Sequence, residues 1–127
     1  MTGGNPQPPD PYPPGTYFWR RIPPDHFPKK PGRRNPDSDA FADDESESMS
    51  VVLVTEGRDP QELIRGHPGY GLVRIPMEVL EELEQEIVPS PTQEEPDHVL
   101  VRGRKSRGRL RRISRESVWD IEPPAFP

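Results

Sequence analysis

Residues 49–55 read MSVVLVT, and this run decides how the rest of the chain is interpreted. It is almost continuously apolar and rich in β-branched side chains, without the regular polar alternation of a strand that has one wet face. Such a run is typical of a strand buried on both faces. It therefore predicts the centre of a sheet, and the neighbouring segments are interpreted as the elements around it.

Two helices are predicted on the C-terminal side of this strand. Asp59 and Pro60 form a helix start, with an acidic cap and a proline at the first helical position, and Gly66 ends this helix after about two turns. Pro76 begins a second helix, whose apolar spacing extends it to residue 85 or 86. Its apolar face is formed by Val79, Leu80, Leu83 and Ile87.

Four further strands and one more helix complete the pattern. Strands are predicted at residues 16–22, 72–75, 98–102 and 118–121, and a basic helix at residues 106–117. The last strand alternates apolar and polar residues, as an edge strand does. The predicted fold class is therefore α+β, a small single domain with about four to five short strands and two to three helices.

The composition places this domain between two Pro-rich segments. Of 127 residues, 20 are proline, 10 are glycine and only 29% are hydrophobic. We expect a Pro-rich tail at residues 1–15, the domain at residues 16–122 with a long charged loop at 28–48, and a second Pro-rich tail at 123–127. The N-terminal arm is expected to be disordered or bound to a partner, because such sequences bury too little apolar surface to fold alone.

Composition also argues against several classes of protein. No apolar run approaches the roughly 18 residues of a membrane span, and the N-terminus lacks the apolar stretch of a secretory signal. Without cysteine there is no disulfide framework, thiolate zinc site or cysteine nucleophile. We therefore expect a cytoplasmic protein with no metal site, no cofactor and no contact with membranes.

Charge is arranged in four blocks, although the net charge is only −5. Residues 20–34 carry six bases and residues 37–47 carry six acids, whereas residues 78–97 carry eight acids and residues 98–115 carry eight bases. Blocks of one sign often form interaction surfaces. They could equally pair with one another inside the fold, and the sequence leaves that question open.

The segment 102–115 is the candidate nucleic-acid-binding surface. Clustered cations supply phosphate contacts, and arginine suits bidentate contacts to phosphate or carboxylate. The segment contains no aromatic residue for base stacking, and the acidic net charge opposes general binding to nucleic acid. The cations of this segment are Arg102, Arg104, Lys105, Arg107, Arg109, Arg111, Arg112 and Arg115.

His67 and His98 are the candidate catalytic residues. With Tyr70, Arg102 and Lys105 near them in sequence, they could serve a small metal-free ribonuclease or toxin that uses His98, since such enzymes transfer protons and stabilise phosphate with these residue types. The alternative is that His67 belongs to a turn and His98 caps a strand. Nothing in the sequence requires catalytic activity, and a non-enzymatic protein is favoured.

Residues 73–80, a short strand with a basic residue followed by proline and a glutamate-rich helix, resemble the opening of ribbon-helix-helix antitoxins. The resemblance covers about fifteen residues, and Pro89 and Pro91 stand where the second helix of that family would run. No function is carried over from it.

The leading hypothesis is an interaction protein. A poor core, charge blocks and a cluster of adjacent aromatic residues favour a small accessory, antitoxin-like or immunity-type subunit, bacterial or phage in kind, that binds another protein through its arm and its charge blocks. The nucleic-acid binder and the ribonuclease are the alternatives. The predicted partner-binding residues are Tyr17, Phe18, Trp19, Arg20 and Arg21.

Overall fold

The structure is a computed structural model that describes residues 12–44 and 47–127. Most of the predicted tail at 1–15 lies outside these residues. The described part contains six strands and two α-helices, together with 3-10 helices at Pro24–His26, Ser38–Phe41 and Pro60–Ile64. The strands are β1 (Tyr17–Ile22), β2 (Ser48–Leu53), β3 (Gly71–Pro76), β4 (Glu86–Pro89), β5 (His98–Arg102) and β6 (Val118–Ile121), and the helices are α1 (Met77–Glu82) and α2 (Arg107–Glu116).

All six strands form one antiparallel sheet in the order β4-β5-β2-β1-β3-β6. The strand predicted from residues 49–55 is β2, and it lies inside the sheet between β5 and β1. Met49 and Val51 are buried in the main core on one face, and Val52 is buried in a smaller cluster on the other. The prediction of a strand buried on both faces is confirmed.

The main core lies between the sheet and the two α-helices. Leu80 of α1 and Ile113 of α2 pack against Phe18, Val73 and Val101 of the sheet. The smaller cluster on the opposite face is covered by the 3-10 helix Pro60–Ile64, which contributes Leu63. The sheet therefore has one face covered by helices and one face covered only in part.

Several predicted elements are confirmed with close boundaries. Strands occur where residues 16–22, 72–75, 98–102 and 118–121 predict them, and β6 is an edge strand. The basic helix is α2, in which the side chain of Ser106 accepts a hydrogen bond from the backbone of Arg109. The apolar contacts predicted for it are made by Leu110 and Ile113, and both are buried.

The prediction that the second helix extends from Pro76 to residue 85 or 86 is wrong at the C-terminal end. The α-helix ends at Glu82, and Glu84 has a left-handed backbone with φ of 60°. Residues 86–89 form β4 instead, in which Ile87 lies opposite Val101. Ile87 fits the apolar spacing of a helix and of a strand equally well, so pairing with β5 decides its conformation. This strand brings the total to six, above the predicted four to five, within the predicted α+β class.

Two segments that the sequence predicts to be irregular pack against the core. In the loop 28–48, Ala40 and Phe41 are buried within the 3-10 helix Ser38–Phe41. In the predicted tail 123–127, Pro123 is buried and the Phe126 ring centroid lies 6.3 Å from that of Trp119. The segment predicted as a short α-helix after Asp59 is a 3-10 helix, and Asp59 caps it by accepting from the backbone of Gln61.

Gly71 occupies a position in β3 that has no room for a side chain. A Cβ atom there would lie 2.7 Å from the Trp119 ring and 3.0 Å from the Ile121 carbonyl oxygen. We expect Gly71→Ala to lower the free energy of unfolding by about 1–3 kcal/mol because of overpacking. Gly108→Ala in α2 is the control, since a Cβ there meets nothing within 4 Å and helix propensity predicts a gain of up to about 1 kcal/mol. Urea denaturation of both variants measures the difference, and equal effects would contradict the packing at Gly71.

Candidate functional site

Two of the five predicted partner-binding residues lie in the chain's own core. Phe18 and Trp19 are 0% and 2% exposed, and the indole nitrogen of Trp19 donates to Asp120 Oδ2 at 2.7 Å. Tyr17 is half-buried, with the guanidinium of Arg74 5.3 Å from its ring centroid. The exposed part of the predicted anchor is therefore limited to Tyr17 and Arg21, because the Arg20 side chain is only 12% exposed. The role of these residues in binding a partner stays a prediction.

Arg20 serves the fold as a clamp between β1 and the loop 28–48. Its guanidinium donates to the carbonyl oxygens of Ala40, Ala42 and Ser50, at 3.1, 3.2 and 2.9 Å, and forms an ion pair with Asp44 at 2.6 Å. Burial alone would raise the pKa of the Asp44 carboxyl. Hydrogen bonds and charge from Arg20, with smaller contributions from the Ser50 amide and His98, outweigh burial, so the pKa lies below its ordinary value.

The charge blocks pair with one another, which resolves the question that the sequence left open. From the basic segment, Arg109 lies 3.9 Å from Glu84, and Arg107 lies 4.0 Å from Asp39. Two closer pairs join the same segment to the two acidic blocks. These are Arg112 with Glu82 and Lys105 with Asp43.

Four arginines of the basic segment have no carboxylate partner among residues 12–44 and 47–127: Arg102, Arg104, Arg111 and Arg115. Two of them, Arg111 and Arg115, lie one helical turn apart on α2. With Arg33 they line one cleft of about 280 Å³ that has no acidic residue in its lining. We call this the arginine cleft; its other lining residues are Asn35, Pro36, Ser38 and Ser114.

The floor of the arginine cleft is held by hydrogen bonds between the loop and the end of α2. Asn35 Nδ2 donates to the carbonyl oxygens of Ser114 and Arg115, at 2.9 and 3.3 Å. The hydroxyl of Ser114, which is buried, donates to the carbonyl oxygen of Pro36. Because these bonds fix the backbone, the arginine side chains project from a rigid base.

The two candidate catalytic histidines line different clefts. His67 lies beside Tyr70, with ring centroids 5.0 Å apart, in a cleft of about 380 Å³ that also contains His26. His98 and Arg102 line another cleft, of about 430 Å³. The structure therefore joins His67 with Tyr70, and His98 with Arg102, but it does not bring the two histidines to one site.

The acidic residues before His98 are used in ion pairs. Arg58 Nη2 lies 2.6 Å from Glu95 Oε1, and Arg58 Nη1 lies 3.5 Å from Asp97 Oδ2. The hydrogen bond from Arg58 lowers the pKa of Glu95 from its ordinary value. In the described part of the chain, no three or more histidine, aspartate or glutamate residues are grouped where they could hold a metal ion.

No helix among the described residues is long and apolar enough to cross a membrane. No known protein family, curated protein or solved structure matches the chain.

Sequence reasoning missed the loop half of the arginine cleft. Arg33 was part of a recognised basic block, but nothing in the sequence places residues 33–38 against the C-terminal turn of α2. Asn35 is the most informative clue in retrospect, since its amide is suited to bind the free carbonyl groups at a helix end. His26, which lines the cleft of His67, was also missed.

Proposed function

We propose that the chain is a protein-binding module, an accessory subunit that holds an acidic segment of its partner in the arginine cleft. The observation that carries this proposal is the convergence of Arg33, Arg111 and Arg115 on one cleft with no carboxylate partner among the described residues. A planar guanidinium binds a carboxylate through two parallel hydrogen bonds. Three such groups suit a short run of glutamate or aspartate.

The convergence has an energetic cost within the fold. Like charges one turn apart on a helix destabilise it by about 0.2–0.5 kcal/mol, and Arg33 adds a third positive charge to Arg111 and Arg115. The chain has 22 acidic residues, and the neighbouring cations Arg107, Arg109 and Arg112 are each within 4.0 Å of one. A favourable interaction with the helix dipole accounts for Arg115 in the last turn. It does not account for Arg33.

Nucleic acid is the second candidate and is less favoured. Half of the eight cations in the basic segment have carboxylate partners, which reduces the charge available to phosphates. The net charge of −5 also opposes binding to a polyanion. The two candidates differ in which arginines they require, because nucleic acid would follow the whole basic surface and an acidic peptide would need the cleft.

A pair of matched double variants tests the proposal. We expect Arg111→Gln with Arg115→Gln to weaken binding of a fluorescent glutamate-rich peptide by about 100-fold or more, since each of the two lost charge-assisted hydrogen bonds contributes about 1.5–3 kcal/mol. Arg102→Gln with Arg104→Gln removes the same charge outside the cleft and should leave binding within about twofold. Fluorescence anisotropy at constant salt measures both.

Two outcomes would overturn the acidic-segment proposal. Equal losses in the two double variants would mean that net charge, and not the cleft, attracts the peptide. Tighter binding of a single-stranded RNA or duplex DNA of equal charge, with equal losses in both variants and a steep salt dependence, would make nucleic acid the ligand.

A further inference from the structure

A second cleft opens on the face of the sheet that the α-helices do not cover. Side chains alternate along β5, so Val99 and Val101 enter the main core while His98, Leu100 and Arg102 face the other way. In register, Ser50 of β2 lies opposite Leu100. The resulting cleft of about 430 Å³ is lined by Asp44, Ser48, Ser50, Ser90, His98, Leu100 and Arg102.

The His98 ring is held in one orientation. Its Nδ1 lies 2.8 Å from the Ser90 carbonyl oxygen, and the Ser90 amide donates to the His98 carbonyl oxygen at 2.9 Å. A carbonyl oxygen only accepts, so Nδ1 carries the hydrogen. The other ring nitrogen, Nε2, has no hydrogen-bond partner among the described residues and is free to bind a ligand.

The remaining charges of the cleft favour an anion. Arg102 is exposed and has no carboxylate partner in the described part of the chain. Asp44, the acid of the cleft, is neutralised by Arg20 and accepts from the Ser50 amide at 2.8 Å. The Ser50 hydroxyl makes no hydrogen bond with the described residues and can donate to a ligand.

An apolar recess adjoins the polar cleft. It has a volume of about 60 Å³ and shares Ser50 and His98 with the cleft. Its other lining residues are mostly apolar: Trp19, Val51, Val52, Leu63 and Leu72, together with Arg21. Small-molecule sites commonly combine a few convergent polar groups with an apolar wall. The recess has room for a small apolar substituent beside a charged group bound at Arg102 and His98.

We propose that this cleft binds the phosphate group of a small phosphate monoester that carries an apolar substituent. Arg102 donates to the phosphate oxygens through its guanidinium, and the Ser50 hydroxyl donates to another. Nε2 of His98, which carries no hydrogen, accepts from the protonated oxygen of the monoester monoanion, and the substituent enters the recess. The proposal is independent of the arginine cleft, because the two sites share no lining residue.

Isobutyl phosphate and inorganic phosphate are suitable probes for nuclear magnetic resonance titration of ¹⁵N-labelled protein. We expect the His98 ring signals to shift on addition of either ligand, and isobutyl phosphate to bind several-fold more tightly because of the recess. Arg102→Gln should weaken binding at least tenfold, and Arg104→Gln, an exposed arginine outside the cleft, should not. Arg111→Gln with Arg115→Gln should also leave the shifts unchanged, which separates this site from the proposed protein-binding one.

The proposal is overturned if the His98 ring signals stay unmoved up to about 10 mM ligand, ten times a millimolar Kd. Equal weakening by Arg102→Gln and Arg104→Gln would likewise overturn it, since binding would then follow net charge. Equal affinity for the two ligands would exclude the recess from the site. His98→Gln provides a second check, because it removes the ring without adding charge and should also weaken binding.

Discussion

Replacing Phe41 by alanine is expected to lower the free energy of unfolding by about 3–5 kcal/mol, the usual cost of emptying a phenylalanine site in a core. Phe41 is 0% exposed and belongs to the main core, although it lies in a loop bordered by charged residues on both sides. The side chain anchors the 3-10 helix Ser38–Phe41 beneath α2, so its loss leaves a cavity that the loop is too tethered to fill. Urea denaturation followed by circular dichroism measures the effect.

Phe126→Ala is the matched control. Phe126 is half-buried and packs against Trp119 and Arg34 near the C-terminus. We expect a loss of about 1 kcal/mol or less there, because the site is open to water and leaves no closed cavity. If Phe41→Ala prevents folding altogether, Phe41→Leu should give a measurable intermediate loss. Similar small losses at Phe41 and Phe126 would show that the loop is not part of the core.

Phe41 also shows which parts of the fold the sequence could predict. Elements with an unambiguous local pattern were predicted correctly, such as β2 with its aliphatic run and α2 with its serine cap. A single phenylalanine among acids has no such pattern, because its burial depends on α2, far along the chain. The conformation of Ile87 was predicted wrongly for the opposite reason. Its spacing fits both a helix and a strand, and pairing with β5 determines that it lies in a strand.

The candidate sites were less predictable than the strands because they depend on contacts between residues that are far apart in the sequence. The basic block 98–115 was visible in sequence, but the acids at residues 39, 43, 82 and 84 decide which of its cations remain free. The arginine cleft further needs Arg33 from a distant loop. The alternation of β5 could have placed His98 and Arg102 on one face, but only the tertiary structure shows that no described α-helix covers this face.

Arg20→Met is expected to lower the free energy of unfolding by about 2–4 kcal/mol at neutral pH. The substitution removes donors from three carbonyl oxygens and leaves Asp44 with the Ser50 amide as its remaining close partner. The partly buried acceptors at Ala40 and Ser50 lose a charged donor, which costs free energy, whereas methionine retains the apolar stem. The loss of the ion pair adds less, because the Asp44 side chain is 43% exposed and water screens its charge. Arg104→Met is the control, because Arg104 is exposed and its side chain makes no hydrogen bond or ion pair with a described residue. It should change stability by less than about 0.5 kcal/mol.

The effect of Arg20→Met should depend on pH through Asp44. The pKa of Asp44 is lowered in the folded protein against the opposing effect of burial, chiefly by Arg20. A lowered carboxyl pKa contributes stability that is complete above the unfolded value, about 3.9, and is lost as the pH falls through the folded value. The variant lacks this contribution, so its difference from the parent should be largest near neutral pH and should shrink as the pH falls below about 4. Urea midpoints across this range measure the difference, and a difference that stays constant would assign the clamp to the carbonyl contacts of Arg20 alone.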